Sequence, residues 1–339
     1  MSASSRPQPL VDRYGRRVRS LRVSLTDRCN FRCLYCSPAH FHPMPASNYL
    51  AAGELARLVR LTAGFGVMRY RLTGGEPLMR RDIVEIVALL RSIDGVRELS
   101  MTTNASRLRE YARPLRDAGL DRLNISLDSL DAHRFARVTG VDGYAKVRDG
   151  IAAAVSAGFP VKINVVVLRD MPDDEILEFT RLAYAEHVDV RFLEFMPLST
   201  SPWNRDDVYP VPEVRALIER HFELRELARD GAPARTFQLA GGRGRVGFIA
   251  PLSEPFCTTC SRIRLTADGQ LRPCLFSDYA VDLGARLRSG ADDAELASLI
   301  RLAVFNKPRG SQFSDVPLQR MDAAGVSAEQ GPPIRAVGG

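Results

Sequence analysis

Six cysteines fall into two sets of three, Cys29-x3-Cys33-x2-Cys36 and Cys257-x2-Cys260-x13-Cys274. Iron–sulfur clusters are normally held by four cysteines, so a triad leaves one iron open to a substrate or cofactor. Two triads then imply two clusters that each hold an exogenous group. A structural zinc ion is the alternative for the first set. Zinc wants a closed shell of four ligands, and His40 and His42 sit on a Pro-flanked loop from which one could act as the fourth. Disulfides are disfavoured, because Met1 to Pro9 is polar and lacks the apolar stretch of a secretory leader. The expected setting is a reducing cytoplasm with metal-bound thiolates.

The second chemically capable group is basic. The chain has 47 Lys+Arg against 40 Asp+Glu, a net charge of +7, and lysine occurs only at Lys146, Lys162 and Lys307. That balance favours a polyanionic partner such as a nucleotide or nucleic acid. If strands alternate their faces, Arg22, Arg71 and Lys162 point toward the same interior as the cysteine loops, with Arg69 and Arg191 as further candidates. A buried arginine needs an anion, which a ligand or a neighbouring acid can supply. In Thr73-Gly74-Gly75-Glu76-Pro77 the glycine pair suits close approach of main chain to a ligand, or a plain turn.

The elements that must position these residues can be read from the hydrophobic pattern. Strands are expected at Leu21–Thr26, Val67–Thr73, Glu98–Asn104, Arg122–Leu127, Val161–Val167 and Asp189–Phe195. Helical patterns fall between them near Gly53–Phe65, Asp82–Ser92, Leu108–Ala118, Gly143–Ala157 and Pro172–Glu186. Six βα repeats imply an α/β fold with a parallel sheet, an open partial (β/α)6 barrel of the TIM type rather than a closed barrel of eight. A C-terminal cluster-binding extension would close the opening. The expected division is an N-terminal extension over residues 1–18, the partial barrel over 19–230, the second-cluster region over 231–320 and a tail over 321–339. The cysteine loop, Thr73–Pro77, Thr102–Asn104, Asn124–Asp128 and Glu194–Pro197 all follow strand C-termini, so polar groups converge on one rim. At 45% hydrophobic and 26% charged, the composition is that of a soluble globular enzyme. No apolar stretch approaches the ~20 residues needed to cross a bilayer, so no membrane partner is expected.

The first triad, the Gly-Gly-Glu-Pro turn and the six βα units resemble the radical S-adenosylmethionine superfamily. The second triad, Thr26-Asp27-Arg28-Cys29-Asn30-Phe31-Arg32-Cys33, Arg71–Leu78 and the terminal Gly338-Gly339 resemble, more narrowly, its GTP 3′,8-cyclase family, lyases that open molybdenum cofactor biosynthesis. The resemblance runs from about Tyr14 to the C-terminus. It implies two 4Fe-4S clusters, on Cys29, Cys33 and Cys36 and on Cys257, Cys260 and Cys274. It implies S-adenosylmethionine contacts at Tyr35, Gly75, Glu76, Ser126 and Met196. GTP contacts would be Arg22, Arg71, Thr102, Lys162, Arg262, Ile263 and Arg264, with Ile263 acting through its backbone. Arg262, Arg264 and the glycines Gly338 and Gly339 are the catalytic positions it carries over, the double glycine entering the substrate pocket from the open side. The implied reaction takes the ribose 3′ hydrogen of GTP with a 5′-deoxyadenosyl radical and joins C3′ to guanine C8. Expected partners are a flavodoxin- or ferredoxin-like electron donor, a downstream cyclic pyranopterin monophosphate synthase and a second copy of the chain; nucleic acid is not among them.

Two other readings stand beside this one: a two-cluster radical enzyme acting on a peptide, and a non-catalytic zinc module binding nucleic acid. The first would normally carry more C-terminal cysteines, and the second lacks a basic stripe interleaved with aromatics. The sequence also departs from the family pattern. Ala105 stands where glycine is usual, which would cost roughly 1 kcal/mol if that position has positive φ. Ser37-Pro38 follows Cys36, the 39–49 loop is not acidic, and Pro332–Val337 leads into the terminal glycines.

Overall fold

The computed structural model describes residues 8–36, 41–198, 203–228 and 232–311. All six expected strands form, as β1 (Ser20–Ser24), β2 (Arg69–Thr73), β3 (Glu98–Thr103), β4 (Arg122–Ser126), β5 (Val161–Val167) and β6 (Asp189–Glu194). Consecutive strands pair in parallel. Between them run α1 (Ala52–Gly64), α2 (Ile83–Arg91), α3 (Leu108–Asp117), α4 (Ala132–Thr139), α5 (Tyr144–Ser156) and α6 (Asp173–Ala185), α4 being a short helix that the hydrophobic pattern did not signal. Its Asp131 cap accepts a bond from the Arg134 amide, a local signal that was available in the sequence.

The chain then passes through α7 (Val211–Glu219) and six more strands: β7 (Leu224–Glu226), β8 (Arg235–Leu239), β9 (Arg245–Ile249), β10 (Arg262–Leu265), β11 (Gln270–Arg272) and β12 (Val281–Asp282). It continues into α8 (Leu283–Arg288) and α9 (Asp293–Phe305). The sheet order is β12-β11-β10-β1-β2-β3-β4-β5-β6-β9-β8-β7, an open α/β sheet. Strand β10 adds in parallel beside β1, and β9 adds in parallel beside β6, so both ends of the six-stranded run are extended by C-terminal residues. These strands escaped the sequence reading because they are short, and because β10 carries Arg262 and Arg264 where an apolar run was sought.

The two faces of the sheet differ in chemistry. Leu21, Val23, Leu72, Ile163, Phe192 and Ile263 belong to one apolar core beneath the helices. The alternate positions Arg22, Arg71, Asn164, Arg191, Arg262 and Arg264 line a cavity instead. An ordinary closed barrel fills its interior with branched apolar side chains. Here the concave face is polar and cationic, which suits a bound solute rather than packing. The glycines Gly338 and Gly339 lie outside the described residues. So do Ser37, Pro38 and His40, and with them part of the loop after the first triad.

Candidate active site

The first triad sits on the loop that leaves β1, and the glycine pair after β2 is its floor. The Gly75 amide donates to Thr26 O at 2.6 Å and the Glu76 amide to Arg28 O at 2.7 Å. A Cβ on Gly75 would lie 2.1 Å from Arg28 O, and one on Gly74, whose φ is +142°, 2.3 Å from Thr26 O. Both positions therefore exclude a side chain, and the plain-turn reading gives way to contact between two backbones. The loop is pinned elsewhere as well. Tyr49 Oη and the Met44 amide donate to the Asp27 carboxylate at 2.5 and 2.9 Å. The Arg32 and Leu34 amides donate to Thr139 O and Val138 O at the end of α4.

Glu76 is 1% exposed. Its carboxylate accepts from the Leu78 amide, from Thr103 Oγ1 and from the Asn104 amide, at 3.0, 2.7 and 2.7 Å. Burial pushes this carboxyl up, and those donors pull against it. The cost of burying it is thus met by bonds that tie the end of β3 to the cluster loop. Beyond them Ala105 adopts φ +62°, the only non-glycine residue with positive φ among the described ones, so the glycine position of the family pattern is left-handed here too.

Acidic groups mark this end of the site. Tyr35 Oη donates to Asp128 Oδ2 at 2.5 Å, and the Val166 amide donates to Asp128 Oδ1 at 2.9 Å. Burial raises the Asp128 carboxyl to about 6. Burial, then the charges of Asp128, Cys36 and Cys29, push the Cys33 thiol well above its ordinary value. A cation bound beside Cys33 would offset that penalty on its thiolate.

The second triad is different. Cys257 and Cys260 lie at either end of one 3-10 turn, and Cys274 follows β11. Arg262, next but one to Cys260, brings Nη2 to 3.8 Å from its Sγ. Burial would raise the Cys260 thiol, but Arg262 and Lys307 outweigh it and bring it down to about 6. Around this triad the arginines crowd one another. Burial first, then Arg264 and Arg262, push Arg22 down, and burial, then Arg22 and Arg191, do the same to Arg71. Arg264 falls to about 9 through burial and then Arg262. Guanidinium groups stay charged, so these shifts record how strongly the cluster of cations would welcome an anion.

Both triads open into a single cavity lined by all six cysteines. Tyr35, Gly75, Glu76, Ser126 and Met196 line it, as do Arg22, Arg71, Thr102, Arg262 and Arg264. Two expected residues are placed apart. Lys162 bonds Asp189 Oδ2 at 2.8 Å near the start of β5, and Ile263 is 1% exposed with its side chain in the core. Its backbone runs in the β1–β10 ladder, opposite Leu21. Sequence reasoning gave no role to Asp128, Asn164 or Lys307, all of which line the cavity. For Lys307 a signal existed: it is one of three lysines in a chain that otherwise uses arginine.

The donor set fits iron–sulfur chemistry. All six cysteines are half-buried, and none is in a disulfide. Among the described residues no three His, Cys, Asp or Glu side chains gather closely enough to hold one metal ion, the arrangement zinc would ask for. A cluster instead gives each thiolate its own iron. No helix of the described residues is long and apolar enough to cross a membrane.

Comparison with known proteins agrees with this geometry. Residues 23–183 match the family model of the Radical SAM superfamily, and residues 188–313 match that of Molybdenum Cofactor Synthesis C. A GTP 3′,8-cyclase of Moorella thermoacetica is 46% identical over 88% of this chain and 94% of its own length. One from Thermodesulfovibrio yellowstonii is 40% identical over 93% of this chain and 100% of its own. Among solved structures, Streptococcus suis SuiB bound to S-adenosylmethionine superposes with a TM-score of 0.62 at 15% identity, covering 94% of this chain and 77% of that one, a likeness of fold.

Proposed function

The chain belongs to the GTP 3′,8-cyclase family, and on that premise we propose that it converts GTP to (8S)-3′,8-cyclo-7,8-dihydroguanosine 5′-triphosphate in the first step of molybdenum cofactor biosynthesis. The observation that carries this reading is one cavity with a cysteine triad at each end, acidic groups beside the first and cations beside the second. When bound, the first cluster supplies the electron that splits S-adenosylmethionine to methionine and a 5′-deoxyadenosyl radical, which takes the ribose 3′ hydrogen so that C3′ can join guanine C8.

The residues supply binding, orientation and dryness. Cys29, Cys33 and Cys36 would hold the first 4Fe-4S cluster, which would offer a coordination position to S-adenosylmethionine. The Gly75 backbone and Glu76 meet the amino group, Tyr35 lies against the adenine with its hydroxyl anchored on Asp128, and Ser126 and Met196 complete that pocket. A sulfonium is a cation, and the acidic side chains at this end favour it. Cys257, Cys260 and Cys274 would hold the second 4Fe-4S cluster, which would offer a coordination position to the guanine. Arg22, Arg71 and, from near the start of β5, Lys162 receive the triphosphate, Thr102 adds a hydrogen bond, and Arg262 and Arg264 address the nucleotide as catalytic positions. The backbone of Ile263 also addresses the nucleotide. Gly338 and Gly339, outside the described residues, are the remaining catalytic positions of this reading.

The residue ranges 1–18, 19–230, 231–320 and 321–339 serve as extension, partial barrel, second-cluster region and tail. The enzyme works in the cytoplasm with a flavodoxin- or ferredoxin-like donor, hands its product to cyclic pyranopterin monophosphate synthase, and pairs with a second copy of itself. Anaerobic reconstitution followed by incubation with S-adenosylmethionine, GTP and a reductant tests the core of this. About eight irons per chain, a brown colour, and 5′-deoxyadenosine formed together with the cyclised nucleotide are expected. Colourless protein with zinc and no 5′-deoxyadenosine would refute it.

A further inference from the structure

The second triad has little regular structure of its own, since its cysteines lie on a 3-10 turn and just past a three-residue strand. Two buried cations from distant parts of the chain hold it instead. Lys307, two residues beyond α9, is 2% exposed. Its Nζ donates to Arg262 O at 2.8 Å and to Pro273 O at 2.5 Å, the carbonyls two residues after Cys260 and one before Cys274. Arg16, whose side chain is 8% exposed, donates from Nη1 to Cys257 O at 2.7 Å and to Arg309 O at 2.8 Å, and from Nη2 to Pro308 O at 2.5 Å. Its Nε bonds Asp12 Oδ2 at 2.6 Å. Every cysteine segment of this triad is thus tied through a carbonyl to a cation, and the two cations meet through Pro308 and Arg309.

Carbonyls satisfy donors but do not cancel charge. Asp12 neutralises Arg16, whereas Lys307 has no carboxylate among its hydrogen-bond partners in the described residues. Removing an ammonium from water costs several kcal/mol unless an anion compensates. An ammonium has three donors, two of which go to carbonyls, and Lys307 lines the cavity on the side of Cys260 and Cys274. Three thiolates on a cubane make a net anion there.

We propose that Lys307 is a positioning and charge-compensating residue for the metal centre on Cys257, Cys260 and Cys274. This rests on the reading that those cysteines hold an iron–sulfur cluster. It assigns Lys307 two effects: bracing the triad through carbonyls, and stabilising the reduced, more negative form of the centre through its charge.

Full-length, anaerobically reconstituted protein carrying Cys29→Ala, Cys33→Ala and Cys36→Ala isolates the second centre for electron paramagnetic resonance and redox titration. In that background Lys307→Met should move the midpoint potential to more negative values and speed iron loss to an iron chelator at least tenfold. Lys307→Gln keeps two donors and removes the charge. It should reproduce the shift in potential with little change in melting temperature, and it decides the matter if the methionine variant does not fold. An unchanged potential in the glutamine variant would overturn the proposal and leave Lys307 as a fold brace. A parent protein that takes up no iron would overturn the cluster reading, and this proposal with it.

Discussion

Burial pushes both the Cys33 and the Cys260 thiol up, but at Cys33 the charges of Asp128 and the other two thiols of its triad add to burial, whereas at Cys260 Arg262 and Lys307 outweigh it. The same residue type, in walls of the same cavity, is driven in opposite directions. At the first end the Cys33 thiolate is disfavoured, and the surplus of acid suits a sulfonium. At the second end a thiolate is already stable, and the surplus of cations suits a triphosphate. The contrast teaches that the two triads are not duplicates. Each matches the charge of the small molecule that its open iron would receive.

Removing the ligands should expose that difference most fully. Alanine at Cys29, Cys33 or Cys36 should abolish 5′-deoxyadenosine formation, while alanine at Cys257, Cys260 or Cys274 should leave cleavage of S-adenosylmethionine in place and remove GTP conversion. Product analysis by chromatography separates the two, and loss of cleavage in both sets would erase the division of roles.

Gly75→Ala attacks the first end without touching a ligand. Its new methyl would meet Arg28 O at 2.1 Å, a backbone atom that can yield only by moving the cysteine loop. Most of the first centre's iron should be lost and the second centre's kept, as spectroscopy can resolve. Full retention of iron would mean that the loop accommodates the methyl.

Arg71→Ala does the converse at the cationic end. Charge-assisted bonds contribute about 1.5–3 kcal/mol each, which predicts a loss of GTP affinity of roughly tenfold or more. Guanosine should lose far less, and equal weakening of both ligands would show that Arg71 does not read phosphate. Lys162→Ala should follow the same pattern more weakly, since its ammonium is already engaged by Asp189.

In metal-free protein the thiols can be compared directly. The Cys260 thiol, brought down to about 6, should alkylate with iodoacetamide at a rate that halves only as pH falls to about 6, while Cys33, held high, resists at pH 8. Peptide mass spectrometry across pH reads both, and equal rates would contradict the electrostatic contrast. The smallest effect is expected at Ala105. Its left-handed backbone costs about 1–2 kcal/mol. Glycine would relieve that but would add unfolded-state entropy of about 0.4–1 kcal/mol and lose a buried methyl of about 0.8 kcal/mol. Ala105→Gly should therefore change stability by less than about 1 kcal/mol in thermal melts, and a loss well beyond that would show that the methyl is essential to packing in the core.

Much of this was legible in the sequence, for identifiable reasons. The six central strands are apolar runs bounded by turn residues, and each was expected within a few positions of where it lies. The cysteine spacing and the strand-end motifs announced the rim. What the sequence concealed were non-local relations. β10 reads as polar because Arg262 and Arg264 face a cavity, β9 is a short run after a glycine-rich turn, and their places beside β1 and β6 depend on pairing across long separations. Lys307 and Arg16 reach backbone carbonyls, which carry no residue signature. Gly75 could be read as an ordinary turn until the Arg28 carbonyl was seen against it.

The most direct test of two chemically distinct ends is ligand-induced change in each cluster's own signal. Full-length protein lacking one triad or the other should be reconstituted, reduced, and examined by electron paramagnetic resonance with each ligand in turn. S-adenosylmethionine is expected to perturb only the cluster on Cys29, Cys33 and Cys36, and GTP only the one on Cys257, Cys260 and Cys274. If both ligands perturb the same cluster and leave the other unchanged, the account of a cation-receiving end and an anion-receiving end is wrong.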